Sequence, residues 1–323
     1  MRTRTRYVLL GGVGVLVLGL VVGSVAYLRG GFPGPVGSRL VPDELRYVPA
    51  EVTVVAYADV REVMRSDFRQ RLRGVVSSVL PDPDGQREFF DQTGIDIEDD
   101  IDRIVACLVP GSDEPSGLVV VRGRFDVTRL EALAIEHGGT VDEYRGTRIV
   151  TRPGDESDLA MAFVEPGLLT LGSGSVVRHA IDIAGRDDVT SNDAMMDLFE
   201  HIRDGSNAWV ISRFDETAPL PWIPEPVQAQ LPPLSAFVVG GRVNGGMSGT
   251  ITAETRDEQA RQHLHDVVQG FLALIRLQSG LRNQLGGMLD AFQLTSGGTT
   301  VTLSFDLSPE LFELAFPEDP DTR

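Results

Sequence analysis

The chain contains no lysine, and all 29 of its basic residues are arginine. This absence excludes every catalytic device that needs a lysine amine: a P-loop lysine, a Schiff-base lysine or a serine–lysine dyad. Cysteine is nearly absent as well, and the single Cys107 forbids a disulfide within the chain. Because Cys107 lies in the apolar run of residues 104–109, which is typical of a buried strand, we predict an unreactive core thiol.

Positive charge is scarce relative to negative charge. The chain carries 47 acidic residues and a formal net charge of -18. Such a charge repels nucleic-acid phosphates and anionic headgroups, so we predict no nucleic-acid partner. A hydrophobic content of 42% nevertheless allows a sizeable core, and 323 residues are enough for two ordinary domains.

One long uncharged apolar run covers residues 7–28, and Arg2, Arg4 and Arg6 precede it. At helical rise such a run reaches roughly 33 Å, enough to cross a hydrocarbon core of about 30 Å. Because the arginines precede the run, the positive-inside rule keeps the N-terminus in the cytoplasm. We therefore predict a single-pass protein of the inner (cytoplasmic) membrane with an extracytoplasmic, periplasmic body.

A cleavable signal peptide is the alternative interpretation of this segment. Residues 24–26 (Ser-Val-Ala) fit a small-x-small cleavage site with the cut after Ala26. Against cleavage, the apolar run continues through Leu28, and Tyr7 and Tyr27 bracket it like interfacial anchors. Under both interpretations the body is exported from the cytoplasm. We predict the uncleaved anchor.

Two stretches of the body, residues 104–184 and 236–316, repeat the pattern hairpin, capped helix, hairpin, capped helix. Asp126 and Asp257 stand at matching N-cap positions, and Ser175 and Ser308 open the second helices; the spacing within each pair is nearly the same. Hairpins joined by turn residues indicate antiparallel or mixed sheets covered by helices. The predicted fold class is α+β, with an N-terminal transmembrane helix followed by two tandem, duplicated α+β units.

The predicted organisation follows from these patterns and from a Gly- and Pro-rich stretch after the apolar run. In chain order, the predicted segments are a membrane anchor or signal peptide (1–28), a stalk (29–42), α+β unit 1 (43–187), a bridging helix (188–205), α+β unit 2 (206–316) and an acidic tail (317–323).

His263 and His265, followed by Asp266, suggest a metal site. On a helix, however, residues two apart diverge by about 200°, so the imidazoles would lie on either side of Leu264. Helical metal pairs use i,i+4 spacing, as in H-E-x-x-H. We predict two solvated histidines.

An acidic run could also gather a cation; it comprises Asp96, Glu98, Asp99, Asp100 and Asp102. The run lacks the D-x-D-x-D-G order and the terminal glutamate of a calcium loop, as does the fragment at residues 82–85. We predict solvated loops at both places.

Residues 172–175 (Gly-Ser-Gly-Ser) lack the G-x-S-x-G order of a nucleophile elbow, and a helix cap accounts for Ser175. His137 stands at a predicted helix end, and His179 and His201 stand singly on predicted helices. We therefore assign no catalytic, cofactor-binding or metal-binding residue, and no cofactor.

Several short sequence segments are similar to segments of known proteins. They are the start of the body at residues 47–60, TGID at 93–96, DIDR at 100–103 and GRFD at 123–126. Together with the N-terminal anchor, they resemble bacterial envelope proteins of the DUF3352 type over most of the chain. The resemblance implies an exported, duplicated α+β body and no established activity.

We expect a membrane-anchored extracytoplasmic protein whose body binds or scaffolds an envelope protein or a small ligand without catalysis. One alternative is an exported hydrolase-like enzyme with a dispersed site between the two units. The other is a carrier of an apolar ligand. Converging His, Asp or Ser side chains in a cleft would favour the enzyme, and a large dry pocket would favour the carrier.

Overall fold

The computed structural model describes residues 41–66, 83–110, 116–153, 158–214, 231–277 and 291–308. The chain falls into two compact units. The first contains residues 41–64 and the described residues from 83 to 199, and the second contains residues 65–66 and the described residues from 200 onward. This division lies within the segment 188–205 that was predicted to bridge two units.

The first unit contains seven strands in an antiparallel arrangement. Its elements are a 3₁₀ helix (Asp43–Tyr47), β1 (Val54–Asp59), α1 (Val60–Met64), α2 (Pro83–Thr93), α3 (Ile97–Asp100), β2 (Ile101–Val109), β3 (Ser116–Gly123), α4 (Val127–Glu136), β4 (Thr140–Tyr144), β5 (Thr147–Arg152), β6 (Leu159–Glu165), β7 (Leu168–Ser173), α5 (Gly174–Ile183), a 3₁₀ helix (Val189–Ser191) and α6 (Asp193–Phe199). The strands are hydrogen-bonded in the order β1-β2-β3-β7-β6-β5-β4, each antiparallel to its neighbours.

The second unit has five described strands and one long helix. Its elements are β8 (Ala208–Arg213), β9 (Leu234–Val243), β10 (Met247–Thr255), α7 (Glu258–Leu277), β11 (Phe292–Gly297) and β12 (Thr300–Leu307). The strands follow the order β8-β9-β10-β12-β11, again with antiparallel neighbours only.

The two strand orders correspond place by place: β8, β9, β10, β12 and β11 stand where β1, β2, β3, β7 and β6 stand in the first unit. A helix follows the third strand of each series, and a carboxylate caps each helix. Asp126 accepts a hydrogen bond from the Arg129 amide at 3.0 Å, and Asp257 accepts one from the Ala260 amide at 2.8 Å. Both predicted N-caps are confirmed.

The predicted fold class is wrong. Tandem α+β units with antiparallel or mixed sheets covered by helices do not describe a chain that is mainly antiparallel β-sheet with twelve described strands. Six described hairpins make consecutive strands antiparallel neighbours, as hairpin turns predict. Pairing between strands that are distant in the chain, β3 with β7 and β10 with β12, joins these hairpins into long antiparallel series, and no local pattern records that pairing.

The predicted transmembrane segment, residues 7–28, lies outside the described residues, as do the acidic tail and all but the last two residues of the stalk. Within the described part of the chain, no helix combines the length and the apolar character that a membrane crossing requires.

Aliphatic side chains of the strands form the core of each unit, and β1 and β2 are buried at four consecutive positions each, on both faces. In the first unit Val105, Val120 and Leu168 are fully buried on neighbouring strands. In the second, Leu264 of α7 packs with Ala253 and other strand residues. Burial of one such side chain contributes about 1.5–3 kcal/mol, so these buried strand positions are the main source of stability.

The Glu44 network as candidate functional site

The 3₁₀ helix Asp43–Tyr47 directly follows the predicted stalk and buries a charged residue. Its turn closes through hydrogen bonds from the Leu45 amide to the Pro42 carbonyl and from the Val48 amide to the Leu45 carbonyl, both 3.0 Å. Leu45 and Val48 are buried in the core, and the Glu44 side chain is fully buried as well. A buried carboxylate is costly unless cations or donors surround it.

Two arginines from neighbouring strands surround the Glu44 carboxylate. Arg103 of β2 and Arg122 of β3 stand directly opposite each other in the strand register. Glu44 Oε1 accepts a hydrogen bond from Arg122 Nε and lies 3.7 Å from Arg103 Nη1. Like charges placed opposite each other destabilise a sheet, so the carboxylate offsets the repulsion between the two guanidinium groups.

A second carboxylate, Glu165 at the end of β6, lies on the other side of Arg122. Its Oε2 is 3.7 Å from Arg122 Nη2, and its Oε1 accepts a hydrogen bond of 2.9 Å from the Tyr47 hydroxyl. Arg46 Nη1 lies 3.5 Å from the same oxygen. Arg122 therefore joins a carboxylate from the 3₁₀ helix to one from the sheet.

Asp59 of β1 completes the cluster, with its Oδ2 at 3.9 Å from Arg103 Nε. We call the set the Glu44 network; it comprises Glu44, Arg46, Tyr47, Asp59, Arg103, Arg122 and Glu165. Its three carboxylates and three guanidinium groups balance in charge. Among the described residues, the fully buried Glu44 Oε2 has no hydrogen-bond partner.

The surroundings of Tyr47 and Arg122 in the network raise the pKa of both groups. Burial, reinforced by the hydrogen bond to Glu165 and by its charge, raises the pKa of Tyr47 to about 12. Burial lowers the pKa of Arg122, but the hydrogen bond that Arg122 donates to Glu44 and the charges of Glu44 and Glu165 outweigh burial and raise the pKa. Tyr47 therefore stays a neutral donor and Arg122 stays charged at neutral pH, which suits fastening rather than proton transfer.

The histidine pair lies on either side of Leu264, as the helical spacing predicted, but only His263 is solvated. His265 is half-buried, and its Nδ1 is buried without a hydrogen-bond partner among the described residues. His263 and His265 lie on α7, His263 is exposed, and Leu264 between them is buried in the core. Within the described ranges, no group of three or more His, Cys, Asp or Glu side chains is arranged to hold a metal ion.

The acidic run is a capped helical turn and not the predicted loop. Asp96 caps α3 by accepting hydrogen bonds from the Glu98 and Asp99 amides. Asp100 Oδ2 accepts one from the Asp96 amide at 3.0 Å, and its Oδ1 lies 3.1 Å from Arg124 Nη2. These carboxylates satisfy backbone donors, because the first turn of a helix has no internal partners for its amides.

Asp102, the last member of the run, forms an ion pair with Arg61 of α1. In the second predicted loop, at residues 82–85, α2 begins at Pro83, and Asp82 lies outside the described residues. Proline suits this position because it has no amide to leave unpaired.

The serine motif belongs to a helix start, one position earlier than predicted. Helix α5 begins at Gly174, so Ser173 is the residue before it and Ser175 lies in its first turn, with 3.2 Å between the two hydroxyls. The helix expected after Ser308 lies outside the described residues.

Two of the single histidines have structural contacts. His137 follows α4, and its Nδ1 lies 2.8 Å from the Leu133 carbonyl. His179 Nε2 lies 3.1 Å from Glu51 Oε1. The burial predicted for Cys107 on a strand is confirmed, and burial raises its pKa to about 12.

Sequence reasoning missed the Glu44 network entirely. Glu44 and Arg122 are 78 residues apart, and Tyr47 and Glu165 are 118 apart. None of these residues belongs to a catalytic or metal-binding motif, and Glu44 stands just after the predicted stalk, at the start of the predicted unit 1. A signal was present only in the strand register, which brings Arg103 opposite Arg122 and is not visible in a single sequence.

Comparison with known proteins yields no family. No family model matches the chain, and no curated protein matches it. Among solved structures, the chain is similar to TP0453 in crystal form I, with 9% identity over 85% of this chain and 96% of that chain and a TM-score of 0.45. For crystal form IV of TP0453 the identity is 9%, the coverage 84% and 96%, and the TM-score 0.38. Similarity of this degree supports no conclusion about this chain.

Proposed function

We propose that the protein is a single-pass, membrane-anchored extracytoplasmic protein whose body is a non-catalytic binding or scaffolding module of the cell envelope. The arginines before residues 7–28 and the length of that apolar run support the anchor and its orientation. The partner is an envelope protein or a small ligand.

The observation that carries the proposal is the way in which the Glu44 network fastens the start of the body. The 3₁₀ helix that follows the stalk contacts β2 and β3 through Glu44 and the end of β6 through Tyr47 and Arg46. Residues 43–47 are therefore held to the sheet by ion pairs around the buried Glu44 carboxylate and by the hydrogen bond of Tyr47. Such an attachment suits a module that is positioned at a membrane.

The use of the polar residues supports a non-catalytic body. Asp96, Asp126 and Asp257 cap helices, and Asp102 is paired with an arginine. His137 and His179 lie at a helix end and beside a glutamate of the body. At these positions the groups that could perform acid–base chemistry instead make hydrogen bonds and ion pairs within the fold.

The anchor and its orientation are tested with a reporter fused after residue 323. A reporter enzyme that works only outside the cytoplasm should be active when it is fused at this position. A reporter that works only inside the cytoplasm should be inactive at the same position. Activity of the cytoplasmic reporter would overturn the proposal. N-terminal sequencing of the purified chain completes the test: a start before Tyr7 shows an uncleaved anchor, and a start at Tyr27 shows cleavage after Ala26.

The non-catalytic body is tested with the full chain in which His263 and His265 are both replaced by Gln. This change retains polarity and removes both imidazoles, and we expect the free energy of unfolding to change by less than about 0.5 kcal/mol. Thermal unfolding is measured with and without a chelator. A chelator-sensitive transition that the double variant abolishes would instead show a bound metal, because a ligand of the native state stabilises by mass action.

A further inference from the structure

The paired arginines of the Glu44 network are not a requirement of the strand pairing. Arg103 stands opposite Arg122 directly beside a register shift between β2 and β3. A register shift also lies at the corresponding place between β9 and β10, and the pair directly beside it is Ala236 opposite Glu254. The second unit therefore builds the same hairpin with one charged residue at this place. Because like charges opposite each other destabilise a sheet, the two arginines call for a reason outside the pairing itself.

Without the Glu44 carboxylate, the network would carry one net positive charge. Three guanidinium groups would then stand against two carboxylates: Arg46, Arg103 and Arg122 against Asp59 and Glu165. The side chains of Arg103 and Arg122 are 42% and 27% exposed, so solvent reaches both guanidinium groups although Glu44 itself is fully buried. In a chain with a net charge of -18, this place is therefore suited to hold a single negative charge.

Glu44 uses this place only in part. Its Oε1 accepts a hydrogen bond from Arg122 and lies 3.7 Å from Arg103 Nη1, whereas its fully buried Oε2 has no hydrogen-bond partner in the described part of the chain. A carboxylate oxygen that is buried without a donor loses its hydration, and this loss opposes the hold of the other oxygen. A carboxylate that is free of the backbone can turn both oxygens to the guanidinium groups, which is the bidentate geometry that arginine favours.

We propose that Arg103 and Arg122 form a carboxylate-binding site, which Glu44 occupies as an internal ligand, and that a small monocarboxylate from solvent exchanges with Glu44. This inference rests on the proposed binding function and names the chemistry of its ligand. The space that the Glu44 side chain fills is enclosed, so an acid of two or three carbon atoms fits it and a peptide backbone does not. One net positive charge matches a monoanion. Exchange removes one attachment of the 3₁₀ helix to the sheet and leaves the hydrogen bond of Tyr47 to Glu165.

Chemical rescue of Glu44→Ala in the purified full chain tests the site, because acetate supplies the missing carboxylate. We expect the melting temperature to rise by roughly 2–4 °C in about 100 mM sodium acetate relative to the same concentration of sodium chloride. Sodium phosphate should give less than half of this rise. Glu44→Gln retains the volume of the side chain and should not respond. Equal melting temperatures in acetate and chloride, an equal response of Glu44→Gln, or an equal rise in phosphate would overturn the proposal.

Two further substitutions, each combined with Glu44→Ala, locate the response to acetate. Arg103→Gln removes one guanidinium group of the site, so the response should be lost. Arg148→Gln is the matched control, because Arg148 is 62% exposed and pairs with Glu131 elsewhere in the first unit. The response should persist in this variant. A response that survives Arg103→Gln, or one that Arg148→Gln abolishes, would place the binding elsewhere and overturn the proposal.

Amide hydrogen exchange tests displacement of Glu44 in the natural chain, where no variant has to fold. The Leu45 and Val48 amides close the 3₁₀ turn, and they should exchange about threefold faster or more in about 0.5 M sodium acetate than in sodium chloride. The Ala260 amide, bonded to Asp257 in the other unit, should exchange equally in both salts. Unchanged protection of Leu45 and Val48 would overturn the exchange with Glu44. The reporter fusion tests the anchor separately, so failure of this site leaves the proposed topology intact.

Discussion

The two units share an order of strands but satisfy their buried polar groups in opposite ways. The first unit buries the Glu44 carboxylate between Arg103 and Arg122. The second buries neutral groups, of which Asn207, at 2% exposure, is the clearest. The same order of antiparallel strands is therefore compatible with a buried ion pair in one unit and with a buried side-chain amide in the other. Topology fixes where a polar group is buried, and the local sequence fixes how its hydrogen bonds are made.

Asn207 shows the neutral solution in detail. Its Nδ2 donates to the Val243 carbonyl at 2.7 Å, and its Oδ1 accepts from the Val243 amide at 2.9 Å. The side chain extends the pairing of β8 with β9 by one step, because the Asn207 amide itself donates to the Gly241 carbonyl at 2.9 Å. No charge is desolvated, so this site depends little on pH.

The largest expected effect is that of Glu44→Ala. Removing the carboxylate takes away the buried counter-charge of two opposed arginines, which keep only Asp59 and Glu165 at 3.9 and 3.7 Å. Because both guanidinium groups are partly exposed, we expect the loss of a charged hydrogen bond, about 1.5–3 kcal/mol. Urea unfolding of the full chain measures the loss. Glu258→Gln is the control, because Glu258 is 87% exposed and its pair with Arg261 on α7 should change stability by less than about 0.5 kcal/mol. A loss below about 1 kcal/mol for Glu44→Ala would show that the network does not fasten the N-terminal segment.

The next effect is that of Asn207→Ala, which leaves the amide and carbonyl of Val243 buried without partners. We expect a loss of about 1–3 kcal/mol in urea unfolding. Asn207→Asp should destabilise at least as much at neutral pH, because a carboxylate oxygen would replace the donor that faces the Val243 carbonyl. An aspartate variant as stable as the natural chain would contradict the assigned amide orientation.

Asp126→Ala and Asp257→Ala compare the two units at matching positions. Each removes one hydrogen bond to a backbone amide in a first helical turn, and each should cost about 1 kcal/mol. Asn at either position should retain most of the stability, since its side-chain oxygen still accepts. A cost confined to one of the two helices would show that the matching caps are not equivalent in energy.

The smallest expected effect is the pH dependence of Tyr47→Phe. The folded pKa of Tyr47, about 12, lies above the ordinary value of 10, so its contribution to stability is complete below pH 10 and is lost as pH rises towards 12. The variant should lose about 0.5–1.5 kcal/mol at pH 8 through the missing hydrogen bond to Glu165. The free energy of unfolding should be measured at pH 8, 10 and 11.5 for both proteins. Above pH 10 it should fall less steeply for Tyr47→Phe than for the natural chain. Burial of Cys107 adds a decline from about pH 9 that both chains share.

Strands were the part of the fold that the sequence predicted best. The hairpins expected near residues 104–125 and 159–171 and near 236–255 and 291–305 are present as β2–β3, β6–β7, β9–β10 and β11–β12. Apolar runs bounded by turn residues made them visible. The strand β4 was missed, because its sequence TVDEY is exposed along almost its whole length and has no apolar face.

Helices were predicted less well where they are short. α3 has four residues, and its existence depends on the capping carboxylates of Asp96 and Asp100 rather than on an apolar face. Such a turn leaves no periodicity in the sequence. The bridging helix expected through Ile202 ends earlier, at Phe199, and Gly205 follows with a left-handed φ of 80°.

By itself, the sequence determined the hairpins, the caps at Asp126 and Asp257 and the burial of Cys107, because each follows from neighbours within a few residues. Only the tertiary structure decided that the strands form antiparallel neighbours throughout, and that Glu44 lies against Arg103 and Arg122. Those outcomes depend on register between segments far apart in the chain. A one-residue slip would turn either arginine to the other face of the sheet, so no local pattern records the contact.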